Sequence, residues 1–256
     1  MRDVNILLNG GVNIKASMEL FGDMATYDEM VNTFLIDVTK KLSGLSRYKE
    51  ISDMPNYAIL AHSLKSDARY FGFEKLAELA YKHELAGKAN NPVEVNEGYD
   101  EFIKEANRIV ELVKEYVHGG VATAPVTIKE TEKLIIVADD SDIVRNFVEK
   151  IFKENYKVLG AHDGNETIKM IEDNEANKIM ALLLDINMPI ADGFAVLEYF
   201  KTNNLFNKIP VAIITGDESI ETTKAAFTYQ IFDILRKPFN EQNIKAIVDK
   251  LININN

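Results

Sequence analysis

The chain has 256 residues, 46% hydrophobic and 27% charged, with a formal net charge of -11. That is apolar material for two ordinary cores, and an acidic chain without a basic run argues against nucleic acid or an anionic membrane as partner. The absence of cysteine excludes disulfides, thiol catalysis and cysteine-held zinc.

No stretch approaches the roughly 18 apolar residues of a spanning helix, and the run at the N-terminus is too short for a signal peptide. A cytoplasmic protein is expected. A short helix near 13–20 opens the order of elements. Thr26 and Glu29 have the spacing of a capping box, which predicts a long helix over 27–45. Pro55 suits the first turn of a helix over 56–71. A third long helix runs over 74–86, ending near Gly87. Asn91-Pro92 is a cap followed by a first-turn proline, opening a helix to about residue 116. Four long helices with short connections predict an all-α antiparallel bundle.

The texture changes near residue 120. Glycines, small residues and a proline over 119–132 suggest an exposed tether between a helical domain, 1–118, and a second domain, 133–256. In the second domain apolar β-branched runs at 134–137, 158–161, 180–184, 211–214 and 231–235 alternate with amphipathic segments, the last over about 242–252. Five βα units predict a parallel sheet covered on both faces.

In such sheets ligands bind beyond the carboxyl ends of the strands. Asp139 and Asp140 follow the first strand, Asp185 ends the third, Thr215 ends the fourth, and Lys237 follows the fifth. Carboxylates crowded at one edge repel, and a hard dication such as Mg²⁺ resolves the repulsion. Phosphoryl transfer needs mainly positioning and charge neutralisation. Asp185 would be the nucleophile, Asp139 and Asp140 would hold the metal, Lys237 would pair with the phosphoryl group, and the Thr215 hydroxyl would hydrogen-bond it.

The segments VADDS (137–141), LLLDINMPIADG (182–193), IITGD (213–217) and RKPF (236–239), in this order after successive strands, resemble a response-regulator receiver domain over about 133–254. The resemblance implies a flavodoxin-like (βα)5 fold with strand order 2-1-3-4-5, a metal shell of Asp139, Asp140, Asp185 and the Asn187 carbonyl, and a cis Lys237-Pro238 bond. It also marks Asn187 and Asp217 as positions that tune self-hydrolysis; both are polar, so a short-lived aspartyl phosphate is expected. One departure concerns signalling. Receivers often carry an aromatic residue or histidine three positions before the lysine, and here that position is Ile234.

Of four histidines, His62 stands in AHSLKSDARYFGF (61–73). On a helix, Tyr57, Leu60, Ala61, Leu64, Ala68 and Phe71 form an apolar stripe. His62 is expected to point away from it into solvent, with Lys65, Ser66 and Arg69 as its neighbours. Neutral imidazole is a nucleophile, and the two cations would screen the charge of a phosphorylated ring. The segment resembles the signature of the histidine phosphotransfer (HPt) domain, with Ser66 in place of the first glycine and Gly72 at the second. Glu84 lies where that family often has a glutamate on the next helix. His83, His118 and His162 carry no such pattern and read as ordinary side chains.

The expected function is a two-component phosphorelay intermediate. It would exchange a phosphoryl group reversibly between His62 and Asp185 with Mg²⁺, and its partners would be a cognate histidine kinase or other receiver or HPt proteins. Neither a kinase motif nor a DNA-binding output domain is present in the sequence, and Met1 with the tapering end argues against a fragment of a longer hybrid kinase. Two alternatives compete. In a regulatory interaction protein, receiver phosphorylation would control docking of the helical domain. In a phosphatase of the haloacid dehalogenase type, Asp140 and Asp142 would be the working pair, which leaves Asp185 and the Lys-Pro pair unexplained.

Overall fold

Helix punctuation shapes the first half of the chain. In the computed structural model, which describes residues 2–118, 133–217 and 219–253, six helices form there: α1 (Val4–Asn9), α2 (Ile14–Phe21), α3 (Met24–Glu50), α4 (Met54–Tyr70), α5 (Glu74–Lys88) and α6 (Pro92–His118). Asp3, Asn13, Asp23 and Asp53 each cap a helix by accepting a bond from a first-turn amide, and Asn91 does the same for Glu94, satisfying donors that the helix leaves orphaned. Two expectations are corrected. The capping box at Thr26 is not the start of α3: Asp23 takes that role three residues earlier, and its carboxylate accepts from the Thr26 amide at 2.7 Å. The helix α1 had no counterpart in the sequence reading, since six residues are too few for a periodic pattern to declare itself.

The helices α3, α4, α5 and α6 close into a four-helix bundle, α3 against α4 and α6, and α5 against α4 and α6. One part of its core is aromatic: Phe71 lies within ring contact of Phe21, Tyr27, Phe34 and Phe73. Gly72 turns the chain there at φ +70°, and a Cβ would collide with the carbonyl oxygen of Asn13. Only glycine meets both demands. The second glycine of the motif is therefore a packing requirement of the turn between α4 and α5.

His83 of α5 is buried, with its Nδ1 2.7 Å from the Tyr57 hydroxyl. Burial holds its imidazole below the ordinary range, outweighing the Gly98 carbonyl and the charge of Glu94, which raise it. The unfolded chain then takes up the proton first. The stability from this group is present above about pH 6.5 and is lost as the pH falls from there toward the folded value. Urea unfolding of the intact chain, followed by helical circular dichroism, should show a midpoint that drops below about pH 6.5, and His83→Gln should flatten that drop. An equal slope in the variant would assign the proton to another group.

The second half is a five-stranded sheet of order β2-β1-β3-β4-β5 with every neighbouring pair parallel. Its strands are β1 (Leu134–Ala138), β2 (Lys157–Ala161), β3 (Ile179–Leu184), β4 (Val211–Thr215) and β5 (Asp233–Arg236). The intervening helices are α7 (Asp142–Phe152), α8 (Gly164–Glu172), α9 (Gly193–Thr202), α10 (Ile220–Ala226) and α11 (Glu241–Asn253). Alternate strand residues Leu134, Ile136, Leu182, Leu184 and Ile213 join Ile171, Val196, Leu197 and Phe200 in one core. The pleat turns their neighbours to the other face, where α7 packs on β1 and β2, and α11 on β3, β4 and β5. The fifth strand starts two residues later than expected. The Phe232 amide bonds the Val211 carbonyl at 2.8 Å, and ladder pairing with β4 begins only at Asp233.

The chain divides into two units after Pro125, and the expected tether, 119–132, lies outside the described residues. Among the described residues no helix is long and apolar enough to cross a membrane.

Candidate functional site

Hydrogen bonds at the strand ends gather the acidic residues. The Asp185 amide donates to the Ala138 carbonyl at 2.8 Å, the Asp139 amide to Ala161 at 3.0 Å, and the Lys237 amide to Thr215 at 2.9 Å. These bonds hold the ends of β1, β2 and β3 level with one another, and β5 level with β4. Ligand oxygens of Asp139, Asp140 and Asp185 lie within 4.8 Å of one another. Lys237 Nζ is 2.6 Å from Asp185 Oδ2 and 2.6 Å from Asp139 Oδ2. Asp139, Asp185, Thr215 and Lys237 are buried, and Asp140 is half-buried. The peptide bond between Lys237 and Pro238 is cis.

The electrostatics are unbalanced. Burial pushes the Asp139 carboxyl up to about 7, with Lys237 opposing and the charges of Asp185 and Asp140 adding to the rise. Burial alone would depress the Lys237 ammonium, but Asp139, Asp185 and Asp140 outweigh it and keep it charged, above the ordinary lysine range. Among the described residues Lys237 is the ammonium in contact with Asp139 and Asp185, and three carboxylates so close together favour a further positive charge. All its donors are hard oxygens, which fits a small dication. The backbone supports the pocket closely: a Cβ at Gly193 would strike the carbonyl of Asp185. The Asn187 amide donates to Asp185 Oδ1 at 3.2 Å, and its side-chain Nδ2 is buried without a partner. Asp217 is engaged otherwise, with its carboxylate accepting from the Ser219 amide and the Thr222 hydroxyl at the start of α10. Asp142 pairs with Arg145 and stands outside the group of three carboxylates. Ile234 is half-buried in β5, paired with Ile213.

His62 requires a correction. It was expected on a solvent face, yet the residue is 1% exposed, and Lys65 and Ser66 are buried with it; Arg69 is half-buried. The helix α4 lies between α3 and α5, and a carboxylate on α5 draws the imidazole in. Glu84 Oε1 is 2.8 Å from His62 Nδ1, Glu84 Oε2 is 2.6 Å from Lys65 Nζ, and Lys88 Nζ is 2.8 Å from Glu84 Oε1. Burial alone would raise the Glu84 carboxyl. The hydrogen bond and charge of His62, together with Lys65, outweigh it and hold the group well below the usual carboxylate range. An ionised carboxylate only accepts, so Nδ1–H donates to it, and in the neutral ring Nε2 is then the nitrogen that keeps its lone pair. His62 Nε2 has no hydrogen-bond partner. Burial is the leading influence on Lys65, and it lowers that ammonium.

Sequence reasoning named Glu84 only as a family position and missed Lys88 and Tyr81. The spacing of Glu84 and Lys88, four residues apart on a helix, was available as a signal. The Tyr81 ring, 5.2 Å from Lys65 Nζ, had none. His162 pairs with Glu166 at 2.8 Å, and the His118 side chain lies outside the described residues.

Residues 135–249 match the family model of the response regulator receiver domain, and residues 29–115 match that of the Hpt domain. The chain is similar to the transcriptional regulatory protein PrrA of Mycobacterium bovis, 28% identical over 120 residues, covering 47% of this chain and 49% of the relative. It is also similar to the CAI-1 autoinducer sensor kinase/phosphatase CqsS of Vibrio cholerae, 30% identical over 109 residues, covering 42% of this chain and 16% of that protein. The chain thus spans about half the length of the first of these relatives and far less of the second. Among solved structures, the receiver domain of the Francisella response regulator 1452 aligns with a TM-score of 0.43 and 27% identity, over 48% of this chain and 99% of that one.

Proposed function

We propose that this chain, an Hpt domain joined to a response regulator receiver domain and so a two-component phosphorelay protein, passes a phosphoryl group reversibly between His62 and Asp185. The observation that carries the reading is the pocket of Asp139, Asp140 and Asp185 around Lys237. Residues 1–118 would act as the histidine module, 133–256 as the aspartate module, and 119–132 as a tether. Exchange with a separate histidine kinase, receiver or Hpt protein fits the same parts.

In the direction toward histidine, the His62 Nε2 lone pair forms the N–P bond as the P–O bond to Asp185 breaks. The electron pair returns to the Asp185 carboxylate. Glu84 holds Nδ1–H and balances the positive charge that grows on the ring. Lys237 pairs with the phosphoryl oxygens and with the carboxylate that is released, and the Thr215 hydroxyl donates to a phosphoryl oxygen. Mg²⁺ held by Asp139, Asp140, Asp185 and the Asn187 carbonyl would supply the remaining positive charge to the phosphoryl oxygens.

The test uses two full-length variants. A His62→Gln chain is charged at Asp185 with acetyl phosphate and Mg²⁺, freed of excess donor and mixed with an Asp185→Asn chain. Acid-labile phosphate should appear on His62 of the second chain. Its absence, or stoichiometric labelling of the Asp185→Asn receiver by acetyl phosphate itself, would refute the reading.

A further inference from the structure

The loop after β3 presents the most exposed large apolar side chain among the described residues, Ile190, which is 81% exposed. It does so at φ +65°. A β-branched residue is an outlier in that region, because its Cβ crowds the backbone where Gly or Asn would not. The loop is nonetheless well pinned. The Ala191 amide bonds the Pro189 carbonyl across Ile190 at 2.7 Å, Gly164 bonds Ala191 at 2.8 Å, and Gly193 bonds Ile186 at 2.9 Å. Met188 is buried, and the Asn187 amide is tied to the Asp185 carboxylate. A strained and exposed isoleucine is therefore held still five residues past the phosphoacceptor, where it serves neither the core nor the acidic pocket.

We propose that Ile190 is a docking anchor for the histidine-bearing face of an Hpt bundle, tested here with a second copy of this chain; the inference rests on the relay reading. Transfer brings a histidine nitrogen and an aspartate oxygen to one phosphorus atom, with reacting atoms about 3–3.5 Å apart. Side chains that flank the two reacting groups are then buried against each other. The histidine face has apolar groups to offer. Tyr81 and Leu85, 43% and 48% exposed, stand four apart on α5 and bracket Glu84, the residue that holds His62. The main chain that carries Ile190 is already pinned, so docking costs little backbone freedom there.

The same pair of full-length chains tests the anchor. The donor is His62→Gln with or without Ile190→Asn, charged with acetyl phosphate, and the acceptor is Asp185→Asn at increasing concentration. Ile190→Asn should charge from the small donor as the parent does and unfold at no lower urea concentration. It should raise the half-saturating acceptor concentration about tenfold, as loss of a modest anchor does, with the plateau rate unchanged. Ile190→Leu should transfer as the parent does. An unchanged half-saturation for Ile190→Asn, or a fall in plateau rate alone, overturns the anchor and leaves the relay standing. Failure of the parent donor to charge, or to label His62, sinks the relay reading and the anchor with it.

Discussion

Lys237→Ala is expected to lower receiver phosphorylation by acetyl phosphate about 10²–10³-fold, the usual loss when a preorganised charge at the reacting centre is removed. It should also destabilise the fold. Asp139 and Asp185 are both 0% exposed, and the ammonium lies 2.6 Å from each. Its loss strands two buried carboxylates, and breaking a buried ion pair from one side costs about 3–5 kcal/mol. Protonation of Asp139, whose carboxyl already stands at about 7, relieves part of this. Added Mg²⁺ should relieve more of it, since a dication answers the same deficit. The measurements are urea unfolding with and without Mg²⁺, and phosphate incorporation with time. Labelling at the parent rate would refute the assigned role of Lys237. Asp185→Asn separates the two effects. It removes the nucleophile and abolishes labelling, while Lys237 keeps Asp139 as a partner and the fold survives.

Glu84→Ala should slow phosphorylation of His62 about 10²-fold or more, as loss of an orienting carboxylate does elsewhere, and leave acetyl phosphate labelling of Asp185 unchanged. Three groups converge on this carboxylate: His62 Nδ1, Lys65 and Lys88. Without it the ring proton is free to move to Nε2, which removes the lone pair that the reaction uses. Glu84→Gln keeps an accepting oxygen but no charge, so its rate should fall between the two. Nitrogen NMR of the His62 ring gives a separate readout, with Nδ1–H in the parent and a tautomer mixture in Glu84→Ala. The folded Glu84 carboxyl is depressed, so its stabilisation is present above about pH 4.3 and lost as the pH falls below that value. An unaltered tautomer together with an unaltered transfer rate would remove Glu84 from the mechanism.

Much of the molecule was legible in order and type. Strand periodicity located five βα units, and the acidic and basic residues that follow those strands were readable because strand ends in a parallel sheet share one edge. Caps and prolines located the long helices of the bundle. Asp23 rather than Thr26 starts α3 because either could cap, and the backbone geometry on folding selects one. The burial of His62 was invisible in the helical stripe of α4, since a single helix does not record which neighbour covers its polar side. Ile190 gave no signal at all, because a φ of +65° belongs to a turn, not to a residue type.

The amino-acid sequence alone determined the two-domain plan, the strand and helix succession and the chemical identity of the groups at the sheet edge, since these follow from local periodicity and from residue type. Tertiary packing alone decided that Glu84 reaches across from α5 to select the ring nitrogen of His62 that stays bare, that one ammonium sits between two buried carboxylates, and that Gly72 must be glycine. Each of these depends on groups distant in sequence meeting at hydrogen-bond or van der Waals distance, and such distances exist only once the chain has packed.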